Sequence, residues 1–232
     1  MPPKTKPAPQ TARTRIFLVD DHPLLRKGIA DCINEEADLA VCGQAGSAAE
    51  ALPAIVRTKP DIIIVDISLP GRDGIELIKD LKAQQRDVLI LVFSMHDESL
   101  YAERALRAGA AGYLMKNDST ENLIQAIRKV ITGEIVVGQR LVKRVLTRMM
   151  NGGQDPAPSP LTRLTNRELE IFRLLGQGRL RREMAQQLHL SGKTIEAHQS
   201  NIRVKLGLST SSQLRKFAVE YLCTEAAGSP RS

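Results

Sequence analysis

Between Arg15 and Thr132 the chain alternates short apolar runs with longer segments in which apolar residues recur at helical spacing. The runs are IFLVD, LAVCGQAG, DIIIVD, DVLILVFS and AAGYLM. Several are continuously apolar, the pattern of strands buried on both faces of a parallel sheet. The segments between and after them, Leu24–Glu35, Ala48–Arg57, Ile75–Gln84, Ser99–Ala108 and Glu121–Ile131, are each long enough for a helix. Five strand–helix units in succession predict a doubly wound α/β domain over residues 14–133. The pattern then changes. Gly138–Met150 is a helix candidate with Leu141, Val145 and Leu146 on one side, and Asn151–Pro160, NGGQDPAPSP, breaks regular structure. From Leu161 to Leu222 no strand-like run occurs, and the spacing predicts four helices over 165–176, 181–188, 192–206 and 210–222. The first opens on Thr165-Asn-Arg-Glu168, which fits a capping box.

The organisation read from this pattern is a basic, disordered arm over 1–13, an α/β domain over 14–133, a linker helix and Pro/Gly-rich linker over 134–160, an all-α domain over 161–225 and a disordered tail over 226–232. The 232 residues suit two domains. No apolar run approaches the roughly 20 residues of a membrane span, and MPPKTKPAPQTARTR lacks the apolar core of a secretory signal, so no membrane partner and a cytoplasmic location are expected. Cys32, Cys42 and Cys223 are widely separated, with no C-x-x-C pair, which argues against a disulfide framework or a zinc site. Charge separates the halves. Residues 16–136 carry 13 basic and 19 acidic groups, whereas residues 161–232 carry 12 basic and 6 acidic ones. A basic domain joined to an acidic one suggests that the basic half meets a polyanion.

In a doubly wound sheet, ligands bind beyond the carboxyl ends of the strands. The first strand ends at Asp20-Asp21, the third at Asp66 and the fourth at Ser94, and Lys116 follows the fifth. Taken singly, each has an ordinary reading: Asp21 as a helix N-cap before His22-Pro23, Ser94 as a turn former, Lys116 as a solvated lysine. Taken together, three carboxylates brought to one edge need a cation, and hard oxygen ligands suit Mg²⁺.

The segments VDDHPLLRKG, DIIIVDISLPGRDGIEL, LVFSMHDE and RAGAAGYLMK resemble the receiver domain of two-component response regulators, which has a flavodoxin-like fold. The resemblance implies that Asp66 is the phosphoacceptor, that Asp21, Asp66 and the Ser68 backbone carbonyl ligate Mg²⁺, and that Asp20 acts mostly through water. It implies that Lys116 and Ser94 contact the phosphoryl group, and that Tyr113 is the switch aromatic, turning inward in the active state into space that Ser94 vacates. Two positions depart from the common pattern: Asn117 follows Lys116 where many receivers have proline, and Ser68 lies two residues after the acceptor, where it influences the lifetime of the phosphorylated state.

In the all-α half, Met184, Ala185 and Leu188 form one apolar stripe, and Ile195, Ile202 and Leu206 form another. On the 192–206 helix that leaves Lys193, Glu196, Ala197, Ser200 and Val204 facing outward, a surface suited to a DNA major groove. Arg181, Arg182, Lys193, Arg203 and Lys205 are candidate phosphate contacts. The stretch LSGKTIEAHQSNIRVKLGLST, with Thr165–Glu168, Gly178 and Glu183-Met184-Ala185, resembles the LuxR-type helix-turn-helix, and the two halves in this order resemble NarL/FixJ-type response regulators. The resemblance implies base reading by Glu196, Ala197 and Ser200, with Lys193 and Thr194 holding the backbone. GRLRREMA and Gln199 depart from the family's more common residues. The implied partners are a histidine kinase or phosphotransfer protein, double-stranded DNA, a second copy of the chain when phosphorylated, and RNA polymerase. The implied protein is a transcription regulator whose only chemistry is transient phosphoryl transfer to its own Asp66. A dehalogenase-type phosphohydrolase, which needs a carboxylate two residues after its nucleophile, is disfavoured by Ser68. A lactone-sensing LuxR regulator is disfavoured by the absence of Trp and by the acidic strand ends.

Overall fold

The computed structural model describes residues 13–84, 87–150 and 160–227. The chain divides into two compact units, one reaching Val145 and one from Leu146 onward. The expectations placed on 1–12, 151–159 and 228–232 lie outside the described residues. Among the described residues, no helix is long and apolar enough to cross a membrane.

The first unit contains β1 (Thr14–Val19), α1 (Pro23–Glu35), β2 (Leu39–Ala45), α2 (Ala48–Thr58), β3 (Ile62–Val65), α3 (Gly74–Gln84), β4 (Leu89–Ser94), α4 (Glu98–Ala108), β5 (Gly112–Met115) and α5 (Thr120–Ile131). All strand pairs are parallel, in the order β2-β1-β3-β4-β5. The chain winds outward from β1 to β2, returns, and proceeds through β3 to β5, so the switch point lies between β1 and β3. Period-two alternation sends Ile16, Leu18, Ile62, Ile64, Leu91 and Phe93 to one face, where they pack with Ile29, Ile33, Leu123, Ile127 and Val130 of α1 and α5. The intervening residues, Phe17, Val19, Ile63, Val65, Ile90 and Val92, are also buried. Both faces are therefore covered, which is why the runs are continuously apolar.

Within residues 134–138, read from sequence as the start of a linker, Val136 makes an isolated bridge to the edge of the sheet. Val136 bridges Gly112 in parallel, accepting from the Tyr113 N–H at 2.7 Å and donating to the Ala111 carbonyl at 3.2 Å. The segment covers the free edge of β5. A Cβ on Gly112 would lie 2.9 Å from the Val136 carbonyl oxygen, so the close approach needs glycine. The Gly138 N–H then donates to the Glu98 carboxylate at the start of α4. Helix α6 (Gln139–Met150) follows, with Leu141 buried and Val145 and Leu146 exposed.

The second unit contains a 3₁₀ turn (Pro160–Arg163), α7 (Asn166–Gly176), α8 (Arg181–Gln187), α9 (Gly192–Leu206) and α10 (Ser211–Ala227). Its core includes Leu169, Phe172, Leu175, Met184, Leu188, Ile195, Ile202 and Leu214, with Phe172 flanked by Phe217 and Tyr221 at 5.8 and 6.0 Å. Helix α10 runs past the expected end at 222 because Thr224-Glu-Ala-Ala227 contains no breaker before Gly228. The capping box forms as expected: Thr165 Oγ1 accepts from the Glu168 N–H, and Glu168 Oε2 accepts from the Thr165 N–H at 2.7 Å.

Glu168 is nearly fully buried, and Lys205 Nζ of α9 donates to it at 2.6 Å. Burial pushes its carboxyl up, but Lys205 and the Thr165 backbone and hydroxyl outweigh this and hold it below the ordinary glutamate value. A carboxyl depressed on folding stabilises the fold above its unfolded pKa, and that contribution is lost as pH falls through the folded value. Glu168→Gln is therefore expected to lower the melting temperature of the second unit at neutral pH. The difference from wild type should shrink from neutral to acid pH, as the pH falls through the depressed folded value and the wild-type carboxylate takes up its proton. An equal difference at both pH values would show that shape, not charge, sets the effect.

Candidate functional site

Strand geometry brings the predicted polar residues of the first unit together. Asp20 directly follows β1, Asp66 directly follows β3, Ser94 ends β4, and Lys116 directly follows β5. Asp66, Asp20, Ser94 and the Lys116 side chain are all buried. Asp66 Oδ2 accepts from Lys116 Nζ at 2.5 Å and Oδ1 from Ser94 Oγ at 2.7 Å, and the Ser68 N–H donates to Oδ1 at 3.3 Å. The same ammonium is 2.6 Å from Asp20 Oδ2. Lys116 is thus clamped between two carboxylates from neighbouring strands. The start of α3 packs tightly behind the acceptor: a Cβ on Gly74 would fall 2.1 Å from the Asp66 carbonyl oxygen, so only glycine allows this approach.

The electrostatics are finely opposed. Burial pushes the Asp66 carboxyl above its ordinary value, while Lys116 and Ser94 pull it down and Asp20 adds to the rise. For Lys116, burial pulls the ammonium down, but Asp66 and Asp20 outweigh it and hold the group above its ordinary value. Asp20, Asp21, His22 and Asp66 each place one ligand atom within 4.8 Å of the others. Asp21 Oδ1 is buried and accepts no hydrogen bond, although His22 Nδ1 lies 2.7 Å away. One ammonium serving two carboxylates and an unsatisfied third carboxylate oxygen leave room for a cation, and an oxygen-rich donor set fits Mg²⁺.

Tyr113 is buried and turned inward, its hydroxyl donating to the His96 carbonyl at 2.8 Å, while Ser94 still holds Asp66; the inward position expected only after Ser94 moves is thus already taken here, because the His96 carbonyl satisfies the buried hydroxyl. His96 Nε2 is 2.7 Å from Ser68 Oγ, and its ring stacks on Tyr101 at 4.5 Å. His96 was not read from sequence. It connects the loop after the acceptor to Tyr113, and a single histidine in a loop gives no periodic signal that would mark it.

In the second unit, Ser191 caps α9, accepting from the Thr194 N–H at 3.0 Å, and Gly207 ends it in the left-handed conformation. Ile195 and Ile202 face inward. Lys193, Glu196, Ala197 and Val204 are exposed, and Ser200 is half-buried on the same side. Thr194 Oγ1 is held by Ser191 Oγ at 2.7 Å. Arg181, the first residue of α8, reaches across to Glu196 at 3.1 Å, and Arg182 is exposed beside it. Arg203 donates through Nη1 to the Ser209 carbonyl at 3.2 Å and through Nη2 to the Ser200 hydroxyl at 3.4 Å. Lys205 is likewise engaged by Glu168.

Comparison with known proteins agrees with this geometry. Residues 16–128 match the response regulator receiver domain, and residues 162–218 match the bacterial regulatory proteins of the LuxR family. The oxygen regulatory protein NreC of Staphylococcus aureus is 34% identical over 210 residues, covering 89% of this chain and 97% of that one. The chain belongs to the NarL/FixJ-type response regulators. Solved structures of such regulators superpose on it. A LuxR-family two-component response regulator from Aurantimonas sp. SI85-9A1 has 34% identity and a TM-score of 0.56, covering 60% of this chain and 99% of that one. RcsB from Salmonella enterica serovar Typhimurium, bound to promoter rprA in the presence of phosphomimetic BeF₃⁻, has 25% identity and a TM-score of 0.58, covering 89% of this chain and 98% of that one. In this response regulator the strand-end cluster around Asp66 lies within the receiver match, and α9 lies within the LuxR-family match.

Proposed function

We propose that Asp66 accepts a phosphoryl group from a phosphohistidine on a partner kinase or phosphotransfer protein, and that this controls dimerisation and sequence-specific DNA binding. What carries the reading is the buried Asp66 carboxylate, held at once by Lys116 and Ser94 and flanked by Asp20 and Asp21. An Asp66 oxygen bonds to phosphorus as the phosphorus–nitrogen bond of the phosphohistidine breaks, leaving its electron pair on the imidazole. Lys116 Nζ, already beside Asp66, turns a hydrogen bond to a phosphoryl oxygen, and Ser94 Oγ can donate to another. Asp21, Asp66 and the Ser68 carbonyl would hold Mg²⁺, with Asp20 acting through water. When bound, the ion offsets charge on the transferring group. The fold change follows from the same atoms. Ser94 cannot serve the phosphoryl group and keep its bond to Asp66 Oδ1, and its displacement alters the space next to inward-facing Tyr113.

On the DNA side, Lys193, Thr194, Arg181 and Arg182 are assigned to phosphates, and Glu196, Ala197 and Ser200 to base edges. The small outward residues of α9 support insertion into a major groove. Arg203, bound to Ser209, would have to leave that carbonyl to reach a phosphate. Symmetric pairing of two copies would present two such helices to two half-sites. This is regulation by binding, with no turnover of an external substrate, and RNA polymerase is the natural further partner at a promoter.

Intact-mass measurement after acetyl phosphate and Mg²⁺ treatment is expected to show one added phosphoryl group, absent in Asp66→Asn, and light scattering should show the treated wild type shifting toward dimer. Equal labelling of Asp66→Asn would refute the acceptor assignment. Labelling of the wild type without change in mass by scattering or in DNA affinity would refute the coupling.

A further inference from the structure

The segment from Ser94 to Glu98 engages the acceptor at one end and the connector to α6 at the other. Ser94 Oγ donates to Asp66 Oδ1 at 2.7 Å, the His96 carbonyl accepts from the Tyr113 hydroxyl at 2.8 Å, and the Glu98 carboxylate accepts from the Gly138 N–H. The segment also closes on itself, because the His96 N–H donates to Ser94 Oγ at 3.4 Å. Gly138 stands where α6 begins, and its carbonyl accepts from the Leu141 N–H at 3.1 Å. The first turn of α6 contains no acidic residue. Glu98 therefore supplies from α4 the carboxylate that a helix start ordinarily finds three residues into its own first turn. Gly138 does not occupy the left-handed region, so its φ does not demand glycine. What demands it is Glu98: the atoms nearest to an added Cβ all belong to that carboxyl group, and the Cβ would overlap them. The connector is thus held in two ways, by backbone bonds from Val136 to β5 and by a side chain of α4.

We propose that the Glu98–Gly138 hydrogen bond is an autoinhibitory tether, holding the start of α6 to α4 while Ser94 is on Asp66 and released when Asp66 is phosphorylated. This rests on the acceptor reading of Asp66 and adds the route by which that event reaches α6. Ser94 must leave Asp66 Oδ1 to serve a phosphoryl oxygen, and Glu98 follows it closely in the chain. A hydrogen bond is lost once donor and acceptor stand beyond about 3.5 Å, so a displacement on the order of 1 Å at Glu98 is enough. The Val136 bonds to β5 are made by backbone alone and do not depend on Glu98. Release therefore frees α6, within which the first unit ends at Val145, and leaves the sheet edge covered. By linkage, a contact made only in the unphosphorylated state opposes phosphorylation and everything that phosphorylation promotes, so its removal favours both.

The test uses the full-length chain and hydrogen–deuterium exchange over residues 134–142. Gly138→Ala displaces the carboxylate, Glu98→Ala removes it, and Glu98→Gln keeps an acceptor oxygen. Wild type is expected to exchange slowly at these amides, and faster after acetyl phosphate and Mg²⁺. Untreated Gly138→Ala and Glu98→Ala should exchange as treated wild type does. Both should bind a duplex selected with treated wild type at least about fivefold more tightly than untreated wild type, the low end of ordinary allosteric coupling. Glu98→Gln should lie nearer to wild type than Glu98→Ala in both readouts. Asp66→Asn/Gly138→Ala should keep the gain of Gly138→Ala, because the tether lies downstream of the acceptor. Absence of labelling of wild type by intact mass would overturn the acceptor reading and this inference with it. Labelling with unchanged exchange over 134–142 would overturn the release and leave the acceptor reading standing, a result that needs no variant to fold. A helix cap without a regulatory role predicts lower melting temperatures and no gain in DNA affinity, and that result in both Gly138→Ala and Glu98→Ala would overturn the tether.

Discussion

Lys116→Ala is expected to abolish phosphoryl acceptance and to destabilise the first unit by about 3–5 kcal/mol, the usual consequence of removing one partner from a buried ion pair. Lys116 Nζ engages both Asp20 Oδ2 and Asp66 Oδ2. Without it, two buried carboxylates on neighbouring strands face each other with no ammonium between them. Lys116→Met retains the apolar stem, so a similar loss in that variant assigns the effect to charge, not to a cavity. Asp66→Asn should shift stability in the opposite direction. It removes the charge that burial disfavours while keeping an oxygen to accept from Ser94 or Lys116. In chelator at neutral pH, its denaturation midpoint is expected to exceed that of wild type, a cost of function stored in the acceptor site. Mg²⁺ should raise the midpoint of Lys116→Met more than that of Asp66→Asn, since a ligand stabilises only the fold that binds it. An unchanged midpoint in Lys116→Met, or a lowered one in Asp66→Asn, would show that the pair is solvated and that its burial does not govern the site.

The strand-end residues were legible because their positions follow from two rules that sequence displays openly. Apolar runs mark the strands, and the doubly wound topology brings the residues after β1, β3, β4 and β5 to one edge. Asp20, Asp66, Ser94 and Lys116 each sit at or just after the end of such a run, so their convergence needed no knowledge of side-chain packing. The remaining partners depend on contacts between elements that no periodicity encodes. His96 meets Ser68 across 28 residues, and Glu98 meets Gly138 across 40. Residues 134–138 follow a helix and precede another, and only the free edge of β5 explains why they run alongside Tyr113. His22 was visible as a residue but was read with Pro23 as a helix start, because its spacing from Asp20 and Asp21 is a matter of side-chain direction. In the second unit, the inward stripe of α9 was legible from Ile195 and Ile202. The capture of Arg203 by Ser209 and of Arg181 by Glu196 was not, since both pair charged or polar groups across a turn.

The Arg181–Glu196 pair changes what substitution of Glu196 should do. Both side chains are more than half exposed, at 52% and 62%, so the pair is worth about 0–1 kcal/mol and opens readily near a polyanion. While it is closed, Glu196 occupies a cation placed to meet a phosphate. Glu196→Ala removes a negative charge from the outward face of α9 and releases Arg181 at the same time. Affinity for unrelated DNA should therefore rise, and the slope of log affinity against log salt should steepen by ~0.9, one additional phosphate contact. Glu196 is also a candidate acceptor for cytosine N4, so its removal should relax preference at one base position by ~1–3 kcal/mol. Lys193→Ala should do the reverse: binding weakens on every sequence alike, and the slope falls by ~0.9, because Lys193 lies at the start of α9, where backbone amides also favour an anion. The double variant Arg181→Ala/Glu196→Ala separates the two effects of the glutamate. It should lose the steeper salt slope and keep the relaxed base preference. Titration of all four proteins against single-base variants of a selected site, at two salt concentrations, gives both readouts. If Glu196→Ala keeps its steeper slope when Arg181 is also removed, the released arginine is not the source. If Lys193→Ala alters base preference while Glu196→Ala shifts every site equally, α9 enters the groove in the opposite orientation, with Lys193 at the bases and Glu196 at the backbone.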